Sequence, residues 1–382
     1  MKNVKVCVIH NTLNSVGGGE RVCLAVIEAL KEMDFTVTLV TAEPTDWKRI
    51  KKIIGKTIRP DFEAPVLPFK VKAFGIYMRL MTLLKLLGKR YDLTVNTHGD
   101  VLPLESDIIY MHYPTFALIR ETPVNIKYSK SLFWRVYFLP YEKIQSLLVK
   151  KLKWKVLLTN SEFSKEAIRR YIGVEAKVLY PPAEIDEFLK VSDKTKRKDS
   201  VVICGRYTPE KNYELVLNIA SKLPDVDFTI IGAYSGKISA SYYSKLVRIK
   251  EKLRLKNIKL LKNVLRSTQV DIYSRSKVFM HTMVNEHFGI AVVEGMAAGL
   301  VPVVHRSGGP WYDIINRGKY GFGFNDADEA IKAIERAIEN YEYLREEAVK
   351  RALLFRKDEF IKEFIEIVDK LVSESGIRNA VN

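Results

Sequence analysis

The sequence predicts an α/β protein with two domains, each built on a parallel sheet. At 382 residues the chain is longer than one hydrophobic core usually requires, which favours two domains. Short apolar runs alternate with helical segments through most of the chain, which is the pattern of strand–helix–strand units. Pro181 and Pro182 follow the last strand of the first series and form a stiff, extended linker, so the first domain should end at residue 182.

The first domain opens with an apolar strand over residues 4–9, a glycine turn and a helix that runs to about residue 33. The turn consists of Gly17, Gly18 and Gly19. A strand, a glycine turn and a helix start can present backbone N–H groups to a phosphate. The spacing differs from G-x-G-x-x-G, so a dinucleotide site is not indicated. Tight turns use glycine without binding phosphate as well, and that structural interpretation stays equally open.

The middle of the first domain carries a predicted amphipathic helix, residues 76–90, and an aromatic and cationic segment, residues 128–155. One side of the helix, which we call the basic face, carries Arg79, Lys85, Lys89 and Arg90. Aromatic residues beside cations suit a membrane interface, and they also suit single-stranded nucleic acid. Because no nucleic-acid-binding motif occurs in the sequence, the membrane is favoured. A plain surface helix with its apolar side in the core is the alternative.

Another candidate residue of the first domain is His112, at the end of an apolar strand. Pro114 stops regular structure just after it. A lone histidine is more often structural than functional, so the strand pattern alone assigns it no role. His98 and Asp100 follow another strand but match no motif. Further along, Ser161 is a predicted N-cap of a helix.

The second domain begins with a strand from residue 201, whose carboxyl end leads into the loop that carries Arg206 and Lys211. Two cations at this edge of a parallel sheet can hold a pyrophosphate, since Arg offers a planar fork of donors and Lys a point charge. Taken alone, both could also be ordinary surface cations. Asn263 and Val264, which follow a later strand, could line the pocket of a nucleotide base.

The stretch 281–313 predicts the centre of the site. It contains a strand end, a loop, a helix over about residues 289–298, a second strand and another glycine-rich turn. Glu286 lies in the first loop and Glu294 in the first turns of the helix. We expect Glu294, at its helix end, and Lys211, in its loop, to be exposed. The helix start at Phe288, Gly289 and Ile290 suits an anion. Carboxylates repel phosphate but accept hydrogen bonds from hydroxyls, so the two acids beside an anion site indicate a nucleotide-sugar, with one acid on the sugar and one on the ribose.

Composition and charge limit the remaining classes of partner. Lys and Arg total 62 against 45 Asp and Glu, a net charge of +17, and the larger share of the excess lies in residues 1–182. Such a basic half suits nucleic acid, a membrane surface or a phosphate-bearing substrate. The apolar runs are too short for a transmembrane helix, and the N-terminal run is too short for a signal peptide. Three cysteines without metal-ligand spacing predict buried free thiols in a reducing compartment.

These motifs together resemble a known family. E-H-F-G-I-A-V-V-E (residues 286–294) resembles the E-x7-E signature of glycosyltransferase family 4, and G-R-Y-T-P-E-K (residues 205–211) resembles its donor-phosphate motif. I-Y-M-H-Y-P-T (residues 109–115) resembles the dolichol-linked oligosaccharide α-1,2-mannosyltransferases of that family, although those usually place the arginine later in the donor-phosphate loop. The resemblance implies the GT-B fold, two Rossmann-like domains facing across a cleft, with residues 1–182 and 183–357 as domains and residues 358–382 returning to the first.

The resemblance also implies an activity. We expect a retaining hexosyltransferase that moves a sugar, with mannose from GDP-mannose favoured, to a lipid-pyrophosphate-linked glycan on the cytoplasmic face of a membrane. His112, Glu286, Arg206 and Lys211 would be its catalytic residues. We expect no cofactor and no metal, and Asp225-Val-Asp227 and Asp326-Ala-Asp328 are interpreted as structural. A family 4 enzyme with a soluble or another lipid acceptor is the alternative, and a basic nucleic-acid-binding protein is a more distant one.

Overall fold

The computed structural model describes residues 4–55, 58–67, 91–101, 104–114, 147–149, 151–194 and 196–374. The chain divides into two compact units. Unit 1 contains residues 1–182 and 357–382, and unit 2 contains residues 183–356. The basic face lies outside the described residues, as does most of the segment 128–155, so the interpretation of both stays a prediction. Within the described ranges, no helix is both long and apolar enough to cross a membrane.

The described strands of unit 1 form a parallel sheet in the order β3-β2-β1-β4-β5-β6-β7. Their bounds are β1 Lys5–Ile9, β2 Thr36–Val40, β3 Phe62–Glu63, β4 Leu93–Asn96, β5 Ile108–Met111, β6 Val156–Thr159 and β7 Lys177–Val178. The central strands are buried on both faces, which explains why they are continuous apolar runs in the sequence. The carboxyl ends of β1, β4 and β5 therefore meet at one edge.

Helices cover the sheet of unit 1: α1 Gly18–Glu32, α2 Trp47–Ile54, α3 Glu162–Ile172 and, from the end of the chain, α11 Lys357–Glu374. Ser161 caps α3 as predicted, because its side chain accepts a hydrogen bond from Ser164 N at 3.0 Å. The last helix packs Phe360 and Phe364 into the same apolar core as Leu30 of α1. Helix α11 thus belongs to the core of unit 1.

Unit 2 holds a second parallel sheet, in the order β10-β9-β8-β11-β12-β13. Its strands are β8 Lys198–Arg206, β9 Asp227–Ala233, β10 Ile258–Lys262, β11 Ser276–His281, β12 Val301–His305 and β13 Phe322–Phe324. Its helices are α4 Asp186–Leu189, α5 Tyr213–Lys222, α6 Gly236–Lys252, α7 Arg266–Ser274, α8 Ile290–Ala297, α9 Ala327–Glu339 and α10 Tyr341–Leu353. The sheet order reverses between β8 and β11.

Three details of the structure bear on the predictions made from the sequence. The helix after β11 begins at Ile290 rather than at Gly289, because Gly289 is the N-cap in the left-handed region, with φ of 99°. Asp326 caps α9 by accepting a hydrogen bond from Glu329 N at 2.9 Å, which agrees with its structural interpretation. Cys7 and Cys23 are buried and form no disulfide, whereas Cys204 is only partly buried.

Candidate functional site

The candidate site of unit 2 lies at the carboxyl edge of its sheet, where the strand order reverses. Two loops meet there, one after β8 with Lys211 and one after β11 with Glu286. Thr282 ties the loops together, since its hydroxyl donates to Lys211 O at 2.6 Å. Ligands of open α/β sheets bind at such a reversal, because the loops on either side diverge and leave a crevice.

Lys211 and Glu286 form a charged contact in this crevice. The ammonium of Lys211 donates to Glu286 Oε2, and the two side chains are only 13% and 19% exposed. Burial alone would raise the pKa of the Glu286 carboxyl, but the charge of Lys211 and the contact with His281 outweigh burial and hold that pKa well below its usual range. Glu286 is therefore a carboxylate at neutral pH, and its negative charge partly offsets the positive charge of Lys211.

His281, the last residue of β11, is the third member of this cluster. It is buried, and its Nε2 lies 3.4 Å from Glu286 Oε2. Burial lowers the pKa of His281, and the nearby Lys211 charge lowers it further, although Glu286 opposes both. The sequence analysis assigned His281 no role. Its signal was a polar side chain at the end of an otherwise apolar buried strand, next to a candidate loop.

The turn after β12 supports the loop that carries Glu286. Gly309 N donates to Glu286 O at 2.8 Å, and the Ser307 hydroxyl accepts from Asn285 N at 2.8 Å. A Cβ on Gly308 would lie 2.2 Å from the backbone oxygen of Glu286, so only glycine permits this approach. The turn that the sequence singled out as glycine-rich thus fixes the loop from Glu286 to the start of α8, where Phe288, Gly289 and Ile290 lie as predicted.

Glu294 corrects one expectation. Its placement in α8 is as predicted, but its side chain is buried and lies 3.0 Å from the Arg266 guanidinium, rather than at an exposed helix end. Arg266 also donates to Glu184 O at 2.7 Å and covers the Phe188 ring at 4.1 Å. A carboxylate on this face of α8 points into the unit and requires a cation to offset its burial. Lys211, at 13% exposure, is likewise not on the exposed position that we expected.

The other predicted donor residues of unit 2 lie at the same edge. Arg206 ends β8 with its side chain 70% exposed and 3.6 Å from Glu210 Oε1, so it is available to a ligand. Asn263 follows β10, but its side-chain amide is hydrogen-bonded to the backbone of Tyr234. The amide oxygen accepts from Tyr234 N at 2.8 Å, and the amide nitrogen donates to Tyr234 O at 3.0 Å. Asn263 therefore holds the turn after β9, and Val264 beside it is half-buried.

In unit 1, the carboxyl edge brings the glycine turn to His112. Gly17 is the N-cap of α1, and Glu20 closes the turn by accepting from Gly17 N at 2.7 Å. A Cβ on Gly19 would lie 3.2 Å from His112 Nε2, so glycine there leaves room for the imidazole. The same His112 ring nitrogen is 3.2 Å from Thr97 O. Gly18 is the first residue of the helix.

Two further histidines accompany His112, and neither was assigned from the sequence. His98 stacks on His10 with ring centroids 4.6 Å apart and meets His112 edge-on at 5.8 Å. Asp100 Oδ1 lies 3.3 Å from His112 N. His10 is fully buried, which lowers its pKa to about 4 in spite of the nearby Glu20. The three histidines follow β1, β4 and β5, so strand order rather than sequence spacing groups them. Across the described ranges, no three His, Cys, Asp or Glu side chains are grouped as a metal ion would require.

Two parallel sheets with interleaved helices agree with the GT-B fold of glycosyltransferases. The solved structures agree: sucrose-phosphate synthase from Thermosynechococcus elongatus matches with a TM-score of 0.75 at 14% identity, over 97% of this chain and all of that one. Anabaena HepE in complex with UDP and glucose matches with a TM-score of 0.69 at 16% identity, over 96% of this chain and all of that one. The predicted fold is confirmed.

The sequence comparisons agree with the fold. Residues 184–353 match the family model described as glycosyl transferases group 1. Relatives named GDP-Man:Man(3)GlcNAc(2)-PP-Dol alpha-1,2-mannosyltransferase occur in Dictyostelium discoideum, 24% identical over 71% of this chain, and in Homo sapiens, 27% identical over 69%. The matched region spans 60% of each of these relatives. The resemblance given by the motifs is thereby confirmed.

Proposed function

We propose that the protein is a glycosyltransferase that moves mannose from GDP-mannose to a lipid-pyrophosphate-linked glycan. The observation that carries this proposal is the cluster of Lys211, Glu286 and His281 at the reversal of the unit 2 sheet, beside the start of α8. Lys211 would bind the diphosphate and Glu286 a hydroxyl of the sugar. The donor and acceptor are those that the names of the relatives print.

The chemical difficulty of such a transfer is the departure of a nucleoside diphosphate. Negative charge builds up on the diphosphate as the bond to the sugar breaks. Lys211, Arg206 and the positive end of α8 would stabilise that charge. Three such groups can do this without a divalent cation, so we propose that transfer needs no metal.

Glu294 and the loop after β10 would hold the nucleoside part of the donor. Glu294 would accept hydrogen bonds from the ribose, and its pairing with Arg266 would keep the carboxylate in place. Val264 and Asn263 would border the base, the first by apolar contact and the second by fixing the turn at Tyr234. The glycine turn of Gly17, Gly18 and Gly19 would approach the donor phosphates.

We propose that His112 serves the sugar-transfer step and that the reaction retains the configuration of the sugar. In that mechanism the acceptor hydroxyl attacks from the face that the diphosphate leaves, and the leaving phosphate accepts its proton. His112 lies against Gly19 at the carboxyl edge of the unit 1 sheet, beside the turn that would approach the donor phosphates, so it would act where the bond between sugar and phosphate breaks.

The acceptor also explains the basic unit 1. A lipid-linked glycan stays in its membrane, so the enzyme has to reach it at the surface, and we propose docking through the basic face on the cytoplasmic side. The net charge of +17 favours an anionic surface.

The proposal is tested by incubating the purified chain with a lipid-pyrophosphate-linked oligosaccharide and GDP-mannose, GDP-glucose, UDP-glucose or ADP-glucose. We expect mannosyl transfer from GDP-mannose, sensitivity of the product to α-mannosidase, and full activity in excess EDTA. Transfer to a water-soluble sugar but not to the lipid-linked glycan would favour the soluble-acceptor enzyme. Loss of activity in EDTA that manganese or magnesium restores would contradict the metal-free mechanism.

A further inference from the structure

The contact between Lys211 and Glu286 has a consequence for donor binding. Both side chains are largely buried, and Glu286 contacts Lys211 on one side and lies 3.4 Å from His281 Nε2 on the other. A diphosphate that binds Lys211 in this crevice has to compete with the carboxylate already there. Two anions on one ammonium would repel each other at short range.

We propose that the donor's diphosphate displaces Glu286 from Lys211, and that His281 holds the released carboxylate and takes up one proton from solvent. This inference rests on the proposed function, in which Lys211 binds the diphosphate. His281 touches neither donor nor acceptor in this scheme. It is a positioning residue, which acts by keeping Glu286 oriented for the sugar.

The charges around His281 favour this proton uptake. In the free protein, burial and the Lys211 cation disfavour the imidazolium, and Glu286 favours it. A bound diphosphate offsets the Lys211 charge and adds negative charge nearby, while Glu286 loses its ammonium partner and keeps His281. All these changes raise the pKa of His281, so the bound state should hold more protons at neutral pH than the free state.

The other titratable groups around the cluster are expected to stay neutral. Burial raises the pKa of Tyr213, on α5, well above its usual range and that of Cys204, on β8, to about 11. Burial and the nearby His281 lower the pKa of His305, at the end of β12, whose Nδ1 lies 2.8 Å from the Ser307 hydroxyl. His281 is the histidine that Glu286 contacts, so it is the expected proton acceptor.

The test is calorimetric titration with GDP-mannose in two buffers that differ in ionisation enthalpy. The diphosphate of GDP-mannose is esterified at both ends, so it lacks the terminal phosphate that titrates near a pH of roughly 6. We expect net uptake of up to one proton by the native protein and none by His281→Asn. The matched control is His305→Asn, the same change at the next strand end, which should keep the uptake. Affinity should fall as pH rises, by at most about tenfold per pH unit for one linked proton.

A second variant does not depend on the buried His281 position. Glu286→Gln removes the competing charge, so it should bind GDP roughly threefold to tenfold more tightly. In the titration with GDP-mannose it should show no proton uptake. Undiminished uptake by His281→Asn, or weaker GDP binding by Glu286→Gln, would overturn the inference.

The proposed function fails in a different way. If Lys211→Met binds GDP-mannose as the native protein does, or if the native protein does not bind it, the assignment of Lys211 is wrong. The proposed displacement of Glu286 from Lys211 is then wrong as well. Native binding that depends on Lys211 but takes up no proton would overturn only the displacement and the proton uptake by His281.

Discussion

Replacing Lys211 by methionine separates the stability and the binding roles of the charged contact. Methionine keeps an unbranched stem and removes the ammonium, so Glu286 becomes a largely buried carboxylate that has lost its cation. Breaking a buried pair on one side costs about 3–5 kcal/mol, and the 13% and 19% exposure of these side chains admits some water. We therefore expect a loss of about 2–4 kcal/mol in the free energy of unfolding.

The second change, Glu286→Gln in the Lys211→Met background, should return most of that stability, because no uncompensated charge remains. It should not return nucleotide binding. A charge-assisted hydrogen bond to phosphate contributes roughly 1.5–3 kcal/mol, so GDP should bind at least about tenfold more weakly to the single and to the double variant.

Urea unfolding and calorimetric titration with GDP measure the two effects. The control is Lys222→Met, which breaks the exposed pair with Asp328, and it should leave the stability nearly unchanged because solvent screens that pair. The dependence of stability on pH gives a further check. Because the pKa of Glu286 is lowered in the folded state, its contribution to stability is present above the unfolded pKa of about 4.3. That contribution is lost as pH falls through the pKa of the folded state. A Lys211→Met variant as stable as Lys222→Met, or one with native GDP affinity, would refute the reasoning.

Four further predictions concern Glu294, His10, His112 and the basic face. Glu294→Ala should lower the free energy of unfolding by about 2–4 kcal/mol, because Arg266 would keep its partly buried charge without the carboxylate, and a urea titration that shows less than about 1 kcal/mol would contradict this. Unit 1 should lose roughly 3 kcal/mol of stability as pH falls from 6.5 to about 4, because His10 takes up its proton at a higher pH in the unfolded chain than in the folded one. Stability measurements at both pH values test this, and His10→Gln should remove the pH dependence. His112→Ala should slow mannosyl transfer without changing GDP affinity, since Lys211 and Arg206, the cations that would bind the diphosphate, are both in unit 2. Normal turnover in the transfer assay would make His112 structural. Reversal of the basic face to glutamate should release the protein from anionic liposomes in flotation assays, because each cation contributes about 1 kcal/mol within a Debye length of roughly 8–10 Å. Liposome binding that persists after this reversal and in high salt would mean that the helix carries no docking surface.

The site residues show how far sequence patterns reach. Arg206, Lys211 and Glu286 could be placed at strand ends, because a buried strand and the turn after it are visible within a few residues of sequence. The predicted helix start at Gly289 differs from the observed start at Ile290 by one residue, because a glycine marks the turn before the helix. Such features depend on local periodicity and turn chemistry.

The environment of Glu294 could not be predicted in the same way. Its partner Arg266 is 28 residues away at the start of α7, and whether α7 lies against α8 depends on the packing of the whole unit. From the sequence, Glu294 was a polar residue near a helix start, for which an exposed position is the usual outcome. The structure buries it because a cation from another element compensates its charge.

By itself, the sequence determined that the chain forms strand–helix units, where those units end, and which side chains stand at the carboxyl ends of the strands. The tertiary structure decided which of those ends are neighbours. Strand order places Lys211 against Glu286 and His281, although Lys211 and Glu286 are 75 residues apart, and it gathers His10, His98 and His112 from three separate strands. The physical reason is that hydrophobic period and turn residues act locally, whereas the order of strands in a sheet is set by the packing of the complete core.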